Sequence, residues 1–116
     1  MNLLHVAARL ANDLRGKQRQ GYYLAAVGVR RDGALAHATN KAMRANGYLP
    51  VPSTHAEARL CRKLDASAEV YVARVLRDGS WAMSRPCEGC RLALGARRVR
   101  RVYYTIAPGE YGVMDF

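Results

Sequence analysis

Pro86-Cys87-Glu88-Gly89-Cys90 and the earlier His55-Ala56-Glu57 are the stretches of sequence that decide the fold. Together they supply one imidazole, two thiols at a C-x-x-C spacing and one nearby carboxylate. A catalytic zinc site uses three protein ligands and leaves the fourth position open for water. The two stretches therefore predict a catalytic zinc site, and with it a reaction that proceeds by attack of metal-bound hydroxide.

The overall composition limits the kind of protein that can carry these motifs. The chain has 116 residues, of which half are apolar, so we expect a single domain over residues 1–116 with one real core. No apolar run approaches the ~18 residues of a membrane span, and no secretory signal is apparent. The odd number of cysteines, which leaves Cys61 alone, favours a reducing compartment. We expect a cytoplasmic protein without a membrane partner.

A formal net charge of +10 indicates that the partners of the chain are anions. Nucleotides, nucleic acid and acidic proteins all satisfy this condition, and the charge alone does not choose among them. The excess of arginine over lysine suits bidentate phosphate contacts, although biased composition or a solvated surface gives the same pattern. Basic residues form two groups in the sequence, Arg15-Lys17-Arg19 and Arg91-Arg97-Arg98-Arg100-Arg101.

Periodicity and turn signals predict a mixed α/β layout. Helical spacing of apolar residues predicts helices over 2–15, 55–64 and 87–95, with Gly16 and Gly95 as stop signals. Runs rich in β-branched and aromatic residues predict strands over 22–30, 34–39, 69–76, 81–83, 100–106 and 111–116. Residues 40–54 are expected to be mainly a loop. This order predicts helices packed on a central sheet.

Both motifs fall where a predicted helix begins. Ser53 or Thr54 can cap the first helix, and Pro86 suits the first turn of the second. Cys87 and Cys90 then share a face, where the positive end of the helix favours thiolates. A C-x-x-C pair alone also fits a redox pair or half of a structural zinc site, so the assignment depends on both motifs occurring together.

The two motifs resemble those of the zinc-dependent cytidine and deoxycytidylate deaminase superfamily, whose pattern is H-x-E followed by P-C-x-x-C. Residues 72–80 and 101–105 also resemble small deaminase-like proteins of phage genomes. The resemblance implies a three-layer α/β sandwich with a central mixed sheet of about five strands flanked by helices. It implies Zn²⁺ held by His55, Cys87 and Cys90, with Glu57 as proton carrier. Zinc-bound hydroxide would attack carbon 4 of cytosine and ammonia would leave.

The resemblance also implies residues that contact the substrate. The peptide N–H groups of Ala56 and Cys87 would polarise substrate and water, and Asn40 is the candidate contact to the sugar. Asn40 lies farther from His55 than the family pattern suggests, and a turn-forming asparagine is the alternative. Tyr104 is the candidate for stacking on the base. Tyr103 and Tyr111 are alternatives, and one of Tyr103 and Tyr104 must face the core.

The motifs do not choose the form of the substrate. The small size of the chain favours a free cytosine nucleoside or nucleotide and a homo-oligomer in which neighbouring subunits complete the pocket. The charge favours single-stranded DNA or RNA as the deaminated substrate. A third hypothesis is a zinc domain that binds nucleic acid without enzyme activity.

Overall fold

The computed structural model describes residues 3–16, 23–40 and 56–116. In these ranges the chain forms, in order, α1 (Leu3–Arg15), β1 (Tyr23–Val29), β2 (Leu35–Thr39), α2 (Ala56–Cys61), β3 (Glu69–Val75), β4 (Trp81–Ala82), α3 (Glu88–Ala96), β5 (Arg101–Ala107) and β6 (Glu110–Asp115). Each predicted helix and strand is represented, and α2 ends earlier than expected. The predicted caps Ser53 and Thr54 and most of the predicted loop at 40–54 lie outside the described residues.

The strands form one mixed sheet with the order β2-β1-β3-β5-β6. β3 and β5 are parallel, and the other neighbouring pairs are antiparallel. The parallel ladder ends at the pair Val72–Tyr104. Beyond that point the short strand β4 pairs with Arg74 and Val75 of β3. β3 therefore exchanges one neighbour for another near its carboxyl end, and this exchange opens the sheet there.

Helices cover both faces of the sheet. β1 is buried on both sides: Tyr23, Ala25 and Val27 pack with α1, whereas Leu24 and Ala26 belong to the core beneath α2 and α3. The small side chains of β1 let helices approach closely from either side. The expected three-layer sandwich with a central mixed sheet is confirmed. None of the helices in the described ranges is both long and apolar enough to cross a membrane.

The carboxyl end of α3 differs from the prediction that Gly95 stops the helix. The helix continues to Ala96, and the left-handed residue is Arg98, with φ of 57°. Arg98 N–H donates to the Gly95 carbonyl at 3.0 Å, and Val99 N–H donates to the Leu94 carbonyl at 3.1 Å. These two hydrogen bonds form a Schellman motif, in which glycine normally occupies the left-handed position. Here Arg98 occupies the left-handed position, and this conformation allows the next residue, Val99, to be buried in the core.

Arg98→Gly should stabilise the protein. Glycine removes the cost of a left-handed side-chain-bearing residue, and part of the gain is lost to its greater freedom in the unfolded chain, so we expect about 0.5–1 kcal/mol net. Arg97→Gly is the matched control, since Arg97 has φ of −83° and should gain nothing. Urea unfolding measures both variants. An Arg98→Gly variant no more stable than Arg97→Gly would contradict the strain at this position.

Candidate active site

A cavity of about 230 Å³ opens beside the beginnings of α2 and α3. It brings together residues from β1, the end of β2, α2, β3 and the segment that leads into α3. The lining side chains are Leu24, Asn40, Glu57, Arg74, Met83, Ser84, Arg85 and Cys87. Three residues that the sequence singled out for chemistry, Asn40, Glu57 and Cys87, therefore share one cavity.

Glu57 lies in the first turn of α2 and is buried, with 4% of its surface exposed. Ala56 next to it is fully buried, and Leu60 anchors the same helix in the core. A carboxylate at the beginning of a helix is stabilised by the positive end of the helix dipole. The structure thus holds one buried carboxylate against the cavity by packing the rest of α2 into the core.

Cys87 and Cys90 lie at the beginning of α3. Cys87 is the N-cap residue and is exposed, whereas Cys90 is fully buried. Pro86 precedes the cap, so the prediction that it occupies the first turn of the helix is wrong. The backbone of Cys87 is extended, with φ of −68° and ψ of 169°, and its side chain forms no cap hydrogen bond.

Three acidic side chains, those of Glu57, Cys87 and Cys90, lie close together in this region. Burial raises the pKa of the Cys90 thiol, and the Glu57 carboxylate and hydrogen bonding with Cys87 and Glu57 raise it further. Burial also raises the pKa of Cys61, the last residue of α2, whereas the nearby charge of Arg97 lowers it. These effects on the pKa of Cys90 show that Glu57 and Cys87 both lie close to its thiol.

The predicted ligand His55 lies outside the described residues, directly before Ala56 in the sequence. Within 3–16, 23–40 and 56–116 there is no cluster of three or more histidine, cysteine or acidic side chains suited to holding a metal ion. The two thiols present are nevertheless of the type that zinc prefers. Among the described residues of this site, Cys87 and Cys90 are the side chains whose chemistry fits a zinc ion.

Asn40 extends the β1–β2 ladder at the cavity wall. Its backbone N–H donates to the Leu24 carbonyl at 2.9 Å, and its side-chain oxygen accepts from the Leu24 N–H at 2.8 Å. The side-chain oxygen is thereby committed to the backbone, and the amide nitrogen remains as the donor that a bound ligand can use. Asn40 therefore has a structural role at the end of β2 and also lines the cavity.

A buried pair of hydroxyl groups connects the sheet to the segment that carries Cys87. Ser84 Oγ accepts from the Thr105 N–H at 2.8 Å and lies 2.8 Å from Thr105 Oγ1. Thr105 Oγ1 donates to the Ala82 carbonyl at 2.8 Å and accepts from the Arg74 N–H at 3.2 Å. These bonds satisfy the backbone groups exposed where β4 and β5 separate beside β3. The sequence analysis did not identify either hydroxyl, because nothing in a lone serine or threonine signals such a partner.

Two arginines at the cavity were also not identified from the sequence. Arg74 follows Val70 and Val72 on the inward face of β3, and a charge at an inward position of an alternating strand is a signal that could have found it. Arg85 directly precedes the Pro86-Cys87 pair. Of the basic residues that the sequence grouped, those in the described part of the chain do not line the cavity. Arg100 and Arg101 pair instead with Glu69 and Asp115.

The tyrosines take other positions. Tyr104 packs against the core and against Gly112, whose lack of a side chain makes room for its ring. Tyr104 is not among the residues that line the cavity. Tyr103 stacks on Tyr71 with ring centres 4.6 Å apart, and Tyr111 lines a separate cleft with them. The role of Tyr104 in stacking on a base therefore stays a prediction.

Comparison with solved structures assigns the fold. Cytidine deaminase from Burkholderia pseudomallei matches with a TM-score of 0.68 and 19% identity, over 96% of this chain and 91% of that one. Cytidine deaminase from Mycobacterium leprae matches with a TM-score of 0.58 and 16% identity, over 97% and 93%. No protein-family model and no curated protein sequence matches the chain. The protein has the fold of the cytidine deaminases.

Thr105→Val tests the hydroxyl pair. Valine keeps the shape but leaves the Arg74 N–H and Ala82 carbonyl without this partner, so we expect a loss of about 1–3 kcal/mol in unfolding free energy. Ser80→Ala is the control, because Ser80 Oγ bonds to Asp78 at the surface and should cost at most about 1 kcal/mol. Equal losses of unfolding free energy in urea would show that the buried hydroxyl pair contributes no more to stability than the surface hydrogen bond of Ser80.

Proposed function

We propose that the protein is a zinc-dependent hydrolytic deaminase of a cytosine nucleoside or nucleotide. The observation that carries this proposal is the meeting of Glu57, Cys87 and Cys90 beside a cavity that Asn40 also lines. The fold supports it, because the structural neighbours bear the name cytidine deaminase. Glu57 and Cys87, two of the residues from which the reaction was predicted, both line the cavity.

His55, Cys87 and Cys90 would hold the zinc ion in this proposal. Two thiols at the beginning of α3 supply soft, anionic ligands, and an imidazole completes a set of three with one open position. When bound, zinc lowers the pKa of water to about 7 and so supplies the nucleophile for hydrolysis at neutral pH. The burial of Cys90 protects one of these ligands from solvent.

Glu57 would move the proton. Its carboxylate faces the cavity from the first turn of α2, and burial limits its exchange with bulk water. It would accept one proton from the attacking water and deliver it to the ring nitrogen. It would then accept the remaining proton of the added hydroxyl group and deliver it to the amino group, which leaves as ammonia. Because the backbone of α2 is held in the core, the carboxylate needs little reorganisation between these transfers.

Asn40 and Ala56 would position the substrate. The Asn40 amide nitrogen would donate to a sugar hydroxyl, while its side-chain oxygen accepts from the Leu24 N–H. The Ala56 peptide N–H, at the beginning of α2, would polarise the base. Tyr104 is given no role here, because it is half-buried against the core and does not line the cavity.

Glu57→Gln should reduce deamination by about 10²–10⁴-fold while zinc content stays near one ion per chain. The amide keeps the shape of the side chain but cannot carry a proton, and general acid–base catalysis is worth about 10²–10⁴-fold. Glu88→Gln is the matched control, because Glu88 is an exposed carboxylate in the first turn of α3. Ammonia release from cytidine, deoxycytidine and their monophosphates measures activity. An active Glu57→Gln enzyme would refute the proton-carrier role.

Cys87→Ala should lose both zinc and activity, because only two protein ligands would remain. Cys61→Ala is the matched control: Cys61 is a cysteine of α2 that the proposal does not use, and its removal should leave zinc content unchanged. Metal analysis of the purified proteins, with circular dichroism to confirm folding, separates the two variants. A folded Cys87→Ala protein that retains zinc would contradict the ligand assignment.

A second candidate function, deamination of single-stranded nucleic acid, is favoured by the net charge of +10. Binding to a polynucleotide releases counterions, so the affinity would fall steeply with salt. The cavity in the described residues favours neither form of substrate by its size alone.

A further inference from the structure

We propose that Arg85, assisted by Arg74, binds the phosphate group of the substrate, and that the site is therefore selective for a cytosine nucleoside monophosphate over the nucleoside. This inference rests on the proposed function, since it names the substrate class of the same cavity. Both guanidinium-bearing residues line that cavity together with Glu57.

The local backbone directs Arg85 toward the mouth of the cavity. Ser84 and Pro86 on either side of it are buried, whereas Arg85 is exposed. Ser84 is held by its bonds to Thr105, and its hydroxyl lies 3.0 Å from the Val72 carbonyl. With both neighbours fixed inward, the side chain between them must point outward. Because Arg85 lines the cavity, outward here means along its open rim.

No carboxylate in the described part of the chain pairs with Arg85. Arg85 differs in this from Arg30, Arg100 and Arg101, which pair with Asp65, Glu69 and Asp115. The only carboxylate among the described residues that line the cavity is Glu57, and it is buried in the interior. An exposed guanidinium at the rim and a buried carboxylate inside give the cavity two chemically different ends.

Arg74 adds a second positive charge that the fold holds in place. Its Nη1 lies 3.4 Å from the Met83 carbonyl, and its backbone N–H donates to Thr105 Oγ1. Met83 and Ser84 lead directly into Arg85, so the two arginines share one support. A guanidinium fixed in advance loses less freedom on binding an anion than one on a flexible surface.

A phosphate ester matches this arrangement better than a neutral nucleoside does. The base occupies the end near Glu57 and Cys87 if the proposed reaction occurs, so the sugar and its substituents extend toward the rim. A nucleoside offers no anion there, whereas a phosphate can accept paired N–H bonds from a guanidinium. The position of the two arginines therefore gives the site a reason to prefer the phosphorylated substrate.

The experiment compares kcat/KM for deoxycytidine monophosphate, deoxycytidine and a short single-stranded oligonucleotide with one cytosine. We expect the zinc-loaded protein to prefer the monophosphate, and Arg85→Gln to lower the ratio of monophosphate to nucleoside activity about tenfold or more. Arg91→Gln is the matched control, because Arg91 is exposed on α3 outside the cavity lining and should leave this ratio unchanged.

Three outcomes would overturn the proposal: no preference for the monophosphate, preference for the oligonucleotide over the monophosphate, or equal loss on both small substrates in Arg85→Gln. Calorimetric binding of deoxyuridine monophosphate and deoxyuridine, which cannot be deaminated, separates this inference from the proposed function. Tighter binding of the monophosphate that Arg85→Gln removes supports the phosphate site even if no deamination occurs. Equal binding of the two products, alongside normal deamination, refutes the phosphate site and leaves the proposed function intact.

Discussion

The hydroxyl pair of Ser84 and Thr105 is the interaction on which the geometry of the candidate site depends. A sheet in which one strand exchanges a parallel neighbour for an antiparallel one must leave backbone groups unpaired at the exchange. Here the two side chains supply the missing donors and acceptors in a fully buried place. An unmet buried polar group costs about 1–3 kcal/mol, so the pair holds the backbone that leads to Arg85, Pro86 and Cys87.

The beginnings of α2 and α3, which are far apart in the sequence, then meet at one site. Cys87 follows the held segment directly and begins α3, whose Cys90 and Leu94 are buried. On the other side, α2 enters the core through Leu60 and holds Glu57 at the same cavity. Helix beginnings bring peptide N–H groups as well as side chains, so each helix contributes a favourable field for anions at the point where the acidic groups meet.

Much of the fold could be predicted because its signals are local. The apolar periodicity of α1, the alternation of β3 and the Asp-Gly turns each depend on a few neighbouring residues. Gly95 shows the limit of that reasoning, since the helix continues to Ala96 and the left-handed residue that follows it is Arg98. The burial of Val99 in the core outweighs the preference for glycine at the left-handed position of Arg98. This preference is worth only about 1–2 kcal/mol.

The candidate site divides in the same way. The sequence by itself indicated the candidate reacting groups, because Glu57, Cys87 and Cys90 lie in motifs with a recognisable spacing, and it indicated Asn40 through the resemblance. Only the tertiary structure decided what surrounds them: it brought Arg74 and Arg85 to the cavity and packed Tyr104 into the core. Motif spacing acts along one helix turn, whereas the wall of a cavity is assembled from strands and helices distant in sequence. The contacts that select a substrate arise at this second level, where packing rather than spacing chooses the neighbours.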